Sequence, residues 1–214
     1  MTPRTKDFDV RAAIVIRLLS EGVARTDIRH ELPLDTASSG GRADLVLIHN
    51  GLLHGIEIKS GADKLDRVEE QARANRQAFD KAFTIADLRH AEGLKRYCSA
   101  FHCARRGVFC WDHGKPHESL THVITRTWNN KTSVGPMASL LWRKEIFKAC
   151  GELRINARTR GDGLSHIREL VCLRDLRPLV IAALRGRGHS AWERSFWTRY
   201  DSECSQPPNG HKEE

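Results

Sequence analysis

The dipeptide Asn50-Gly51 constrains this chain more than any other feature. It separates two apolar runs, residues 42–49 ("RADLVLIH") and 52–59 ("LLHGIEIK"). Asn-Gly accepts the positive φ that both centres of a two-residue turn require, so the pair predicts a tight β-hairpin. With Asn50 and Gly51 as the turn, residue 49 faces 52 and residue 44 faces 57. Asp44 and Glu57 then sit opposite each other on one face of the sheet, with Cβ atoms ~5 Å apart. Lys59, two residues beyond Glu57, projects from the same face.

Two opposed carboxylates repel, and a cation between them restores the balance. Lys59 supplies part of that charge. A divalent cation supplies the rest, and carboxylate oxygens are the hard ligands that Mg²⁺ and Mn²⁺ prefer. The competing reading is a surface ion pair of Glu57 with Lys59 or Arg42 on a solvent-facing sheet, and D-x(12)-E-x-K alone is a weak pattern. The four apolar residues Leu45, Val46, Leu47 and Ile48 shift the balance, because they suit a strand covered on both faces. Asp44 enters that strand from the "ASSGG" loop, at its accessible end.

The flanking segments supply the rest of a mixed α/β fold. Residues 8–20 read as an amphipathic helix with Asp7 or Asp9 as cap and Val10, Ala13, Ile14 and Leu18 at helical spacing. "TDIRHELPL" reads as an extended segment. Residues 63–80 read as a helix starting near Asp63, with Leu65, Val68, Ala72 and Phe79 as its buried stripe. "KAFTIADLR" reads as a strand, residues 91–100 as a helix, and "GVFCW" and "LTHVITRTW" as short strands. Beyond Pro136 three helical patterns follow, with "GELRINARTRGDG" as a basic loop between the first two. The expected organisation is a sheet core over residues 1–136, a basic helical region over 137–200 and a disordered polar tail over 201–214.

Lys and Arg number 35 against 27 Asp and Glu, a net charge of +8, which favours a polyanionic partner such as nucleic acid. No stretch has transmembrane length and no signal-peptide pattern opens the chain, so the expected setting is cytoplasmic, away from membranes. The six cysteines are then expected as free thiols.

"RADLVLIHNGLLHGIEIKS" resembles the active-site hairpin of PD-(D/E)xK nucleases. More narrowly it is similar to a little-characterised family of small bacterial proteins in that superfamily. The resemblance rests on Arg42-Ala43-Asp44, on Leu53-His54-Gly55 with Glu57-Ile58-Lys59-Ser60, and on Gln71 and Phe79-Asp80. Ile56 stands where that family commonly has an aromatic, and Asn75 where a tyrosine commonly follows the glutamine. The resemblance covers roughly residues 7–90.

It implies a restriction-endonuclease-like αβββαβ core and metal-dependent phosphodiester hydrolysis, with DNA as the expected substrate. Asp44 and Glu57 would hold Mg²⁺ or Mn²⁺, with the Ile58 carbonyl as a further ligand. Lys59 would orient water or offset charge on phosphorus. Glu31 is the candidate upstream acid, and Asp9 the alternative, though a helix cap explains Asp9 as well. Gln71 would contact nucleic acid.

Outside that stretch, Arg158 and Arg160 are candidate phosphate contacts, and Trp192 and Trp197 candidate stacking rings. A solvated basic face is the plainer reading of those arginines. Cys98, His102, Cys103, Cys110, His113, His117 and His122 raise a zinc site, with Cys110-x2-His113 as its tightest pair. Core cysteines and surface histidines are the plainer reading there. Two alternatives to the nuclease therefore stand: a non-catalytic nucleic-acid-binding module on the same core, and a zinc-stabilised interaction protein.

Overall fold

The computed structural model describes residues 6–34, 41–90, 92–94, 107–111, 121–124 and 132–204. Helix α1 (Asp7–Ser20) leads into strands β1 (Ile28–Leu34), β2 (Gly41–His49) and β3 (Leu52–Lys59). Helix α2 (Val68–Ala78) crosses over to β4 (Lys81–Asp87), and β5 (Gly107–Trp111) and β6 (Thr121–Ile124) extend the sheet. The order is β1-β2-β3-β4-β5-β6. The β1–β2, β2–β3 and β5–β6 pairs are antiparallel, and β3–β4 and β4–β5 parallel. Five helices follow: α3 (Val134–Ser139), α4 (Arg143–Glu152), α5 (Arg160–Leu170), α6 (Leu173–Gly186) and α7 (Ala191–Glu203). The fold is thus α/β, a mixed sheet with flanking helices and a helical C-terminal stretch.

The hairpin forms as its turn chemistry dictates. Asn50 has φ 51° and Gly51 φ 70°, and the pairing runs from His49–Leu52 to Leu45–Ile56. Gly55 is fixed by packing: a Cβ there would lie 2.1 Å from the Phe79 ring. Phe79 is fully buried and extended, just past the end of α2. Asp80 beside it donates its N–H to the Leu53 carbonyl and accepts the Leu53 N–H, so the crossover is clipped onto the hairpin.

Both faces of the sheet are covered. Val46, Ile48, Leu53 and Phe79 pack with Met137, Leu141, Ile146, Ile167, Leu176 and Leu184 of the C-terminal helices. Leu45, Leu47, Ile56 and Ile58 pack with Val10, Ile14 and Val15 of α1 and with Phe196, Trp197 and Tyr200 of α7. The helices after residue 133 therefore complete the core of the sheet. Arg177 of α6 also forms an ion pair with Asp80 at 2.6 Å, and Arg29 of β1 one with Glu193 of α7 at 2.9 Å.

Several boundaries differ from expectation. Helix α2 starts at Val68, because Asp63 is occupied by the Ser60 N–H (2.7 Å) and hydroxyl (2.6 Å) and closes a turn. The "RGDG" stretch is the first turn of α5, capped by Thr159, whose hydroxyl accepts the Asp162 N–H. Helix α7 starts with a capping box of Ser190 and Glu193 and runs to Glu203, three residues into the stretch expected as a disordered tail. The expected helix at 91–100 is described only over residues 92–94. The zinc reading falls on residues whose side chains lie outside the described set, as does the tail beyond 204.

Gly55→Ala should lower stability by about 1–3 kcal/mol, the cost of overpacking a filled core. Chemical denaturation measures this, and a variant as stable as the wild type would show that Phe79 does not depend on the missing Cβ.

Candidate functional site

The two hairpin strands stop pairing at Leu45–Ile56, although both continue. Asp44 and Glu57 stand in the fork. The Asp44 carboxylate takes the Ile58 N–H at 2.7 Å, so a side chain replaces the next backbone rung. On the other side of β2 the β1 pairing passes from His30–Leu45 to Leu32–Ala43 and skips Glu31 and Asp44. Glu31 has φ 53°, a left-handed conformation that an unbranched acid adopts only under constraint. The kink exchanges the sheet faces: Ile28 belongs to the α1 side of the core, whereas Leu32 and Leu34 belong to the other. Two-residue periodicity would place all three on one face.

Lys59 lies beside Glu57 as the register predicts. Its Nζ donates to Glu57 Oε1 at 2.9 Å and to Gln71 Oε1 at 2.7 Å. Gln71 therefore steadies the lysine from α2. Asn75, one turn further along α2, is 1% exposed, and its Oδ1 has no hydrogen-bond partner among the described residues. Glu57 is also 1% exposed, and its second oxygen, Oε2, has no donor among the described residues. Asp44 is half-buried, so the cluster opens to its surroundings on that side.

Charge explains the strain in this arrangement. Asp44 and Glu57 bring two negative charges into one partly dehydrated place, and Lys59 offsets one. Burial pushes the Glu57 pKa up to about 7, the Asp44 charge adds to the rise, and Lys59 opposes it. Burial also raises Asp44, against the Ile58 N–H and Arg11. The remaining negative charge must be met by a proton or by a bound cation. The unpartnered Glu57 oxygen and the half-buried Asp44 carboxylate are hard donors that fit a small divalent ion. Among the described residues no group of three or more acids, histidines or cysteines is placed to hold a metal. Mg²⁺ fits such a sparse set, since it commonly keeps several waters and takes one or two carboxylates.

The structure engages the two upstream acids elsewhere. Glu31 accepts from Arg11 at 2.9 Å and from Arg42 at 3.5 Å, and burial raises its pKa. Asp9 accepts the Lys6 N–H at 2.9 Å and caps α1. Arg158 stands just before the start of α5 and Arg160 at it, on a helix that packs mainly on α3 and α4. Trp197 is buried at 6% exposure, whereas Trp192 is 40% exposed.

Sequence reasoning missed Arg11. The residue is 1% exposed, and its guanidinium donates to Asp7 (3.0 Å), to Glu31 and to the Asp44 carbonyl. It also lies 3.4 Å from His30 Nδ1. A charge sharing a helical face with the buried Ile14 and Val15 was the available signal. His30, packed 4.4 Å from the Phe196 ring, is held neutral by burial beside Arg11 and Arg29, its pKa lowered to about 2.

The Glu57 shift has a consequence for stability. Its folded pKa of about 7 lies above the ordinary 4.5. Over that window the folded chain keeps a proton that the unfolded chain loses. Stability is then fully present below the lower value and is lost as pH rises through about 7. Metal-free protein should show a Tm that falls across this window. Glu57→Gln should flatten the fall without abolishing it, because Asp44 and Glu31 shift in the same direction. A wild-type Tm that is level over the window would refute this charge assignment.

Comparison with known proteins gives a family and no activity. The family model described as bacteriophage P4 protein cII matches residues 3–209. Searches of curated proteins and of solved structures found no match. The matched stretch takes in the sheet, the fork and all the C-terminal helices, so the chain belongs to the bacteriophage P4 protein cII family.

Proposed function

We propose that this protein is a metal-dependent nuclease with a restriction-endonuclease-like core, hydrolysing phosphodiester bonds in DNA. The observation that carries the reading is the fork itself: Asp44, Glu57 and Lys59 gathered at the point where β2 and β3 part, with one Glu57 oxygen lacking a donor among the described residues. The element order α1-β1-β2-β3-α2-β4, with β4 parallel to β3, agrees with an αβββαβ core. Asp44 and Glu57 would hold Mg²⁺ or Mn²⁺, with the Ile58 carbonyl beside them. When bound, the ion lowers the pKa of a water and polarises the scissile phosphate.

The chain's own groups do the rest. Lys59, fixed by Gln71 and Glu57, presents a localised positive charge where an attacking water or the developing phosphorane charge would sit. Arg11 holds the Asp44 backbone and keeps Glu31 from adding a third negative charge to the fork. Glu31 stays a candidate ligand only if it leaves Arg11. Gln71 acts through Lys59 in this reading, and Arg158 and Arg160 are proposed phosphate contacts at the start of a separate helix. A non-catalytic nucleic-acid-binding module is the rival, favoured by Asn75 in place of the tyrosine.

Glu57→Gln and Lys59→Met test the two readings. Glu57→Gln keeps an acceptor for Lys59, and Lys59→Met keeps the apolar stem, so both variants should fold. Wild-type cleavage of DNA should stop with EDTA and return with Mg²⁺ or Mn²⁺. Both variants should lose cleavage by orders of magnitude while still binding DNA. Wild type that binds nucleic acid but cuts none with any metal would establish the rival. Variants that cut as well as the wild type would remove the fork from the reaction.

A further inference from the structure

Helix α2 lies along β3 on the side of the sheet that Lys59 faces. Near its start Gln71 accepts from the Lys59 ammonium at 2.7 Å. Just past its end the Phe79 ring fills the space that a Cβ on Gly55 would take. Gly55, Glu57 and Lys59 alternate onto that one face of β3, and each step of two along a strand spans ~6.6 Å. Four residues of a helix span ~6 Å. The two elements run in opposite directions and nearly keep step. Asn75, midway between Gln71 and Phe79, therefore lies level with Glu57.

Two buried oxygens at that level lack partners. Glu57 and Asn75 are both 1% exposed, and neither Glu57 Oε2 nor Asn75 Oδ1 has a donor among the described residues. Buried polar atoms left in this way are rare and call for a group that serves them. The other buried residues of α2, Val68, Ala72 and Ala78, are apolar, so covering the sheet does not require an amide at position 75. Two acceptors cannot serve each other. A cation serves both, and amide carbonyls are ordinary ligands of hard divalent ions. Among the described residues no third acid, histidine or cysteine joins the fork. A carbonyl from α2 would add an oxygen to Asp44 and Glu57 without adding a third negative charge.

We infer that the side-chain carbonyl of Asn75 is a further ligand, supplied by α2, for the divalent cation held by Asp44 and Glu57. This rests on the metal site of the nuclease reading and adds a residue to it. One helix then serves both halves of the site: Gln71 fixes the lysine, and Asn75, one turn on, helps to fix the ion. The competing arrangement is a rotated amide whose N–H donates to Glu57 Oε2. It would satisfy the carboxylate with no metal and would compete with an ion for the same oxygen.

The test reads metal binding in the absence of nucleic acid. Calorimetry gives the Mn²⁺ affinity of wild type, Glu57→Gln, Asn75→Leu and Asn75→Asp. Leucine has a similar size and suits the apolar side of α2, so Asn75→Leu should fold. It should bind Mn²⁺ roughly tenfold or more weakly, the scale on which loss of even an outer-shell partner weakens a metal site. Asn75→Asp returns an oxygen ligand and should recover the lost affinity. In wild type, Mg²⁺ should move the ¹³C resonance of the Asn75 side-chain carbonyl. Asn75→Leu that binds Mn²⁺ as tightly as wild type, where Glu57→Gln binds it weakly, overturns the inference and leaves the metal site of the nuclease reading standing. An unmoved carbonyl resonance in wild type that binds Mg²⁺ does the same, whichever variants fold. Wild type that binds no divalent ion removes the inference and the metal-dependent reading together.

Discussion

The carboxylates of Asp44 and Glu57 meet where two strands separate, and much of the surrounding structure manages that repulsion. A regular hairpin would continue the ladder to Ala43 and Ile58. Here the Asp44 side chain takes the Ile58 N–H, so the backbone rung is replaced while the two carboxyl groups stay within reach of each other. Lys59 answers the charge from within β3, held in place by Gln71. Arg11 answers it from α1, on the opposite side of β2, through the Asp44 carbonyl and the Glu31 carboxylate. Glu31 accepts a left-handed backbone in the middle of a strand, a conformation that costs of order 1 kcal/mol or more and persists only where surrounding contacts enforce it.

The C-terminal helices supply that enforcement. Arg29, next to the aromatic seat of His30, donates to the carbonyls of Leu184, Arg187 and Gly188 at the end of α6 and pairs with Glu193 of α7. Buried ion pairs contribute modest net stability, but removing one partner leaves a dehydrated charge and typically costs 3–5 kcal/mol. Such pairs fix geometry more than they add stability. Asp80 and Arg177 do the same at the crossover. Sheet and helices therefore hold β1 in register on either side of its kink.

The hairpin was legible in the sequence because its determinants are local. Asn50-Gly51 sets the turn, the turn sets the register, and the register sets Asp44 against Glu57 with Lys59 beside it. The kink was not legible, since Glu31 follows no backbone preference of its own; a non-local guanidinium and the packing of two cores impose its φ. Helix α2 was read to start five residues too early because Asp63 satisfies a helix cap and a Ser60 turn equally well in sequence, and only the turn is made. Trp192 and Trp197 differ by five positions on α7, enough to turn one toward solvent and the other into the core.

Charge shows the same limit of sequence reasoning and narrows the chemistry of recognition. A net charge of +8 suggests a broad basic face, yet many arginines of the C-terminal helices are committed within the fold. Arg177, Arg185, Arg187 and Arg199 pair with Asp80, Asp27, Glu145 and Glu203. Each such pair removes a cation from the set that could displace counterions along a phosphate backbone. The nucleic-acid affinity of the proposed reading then depends less on net charge than the composition implies.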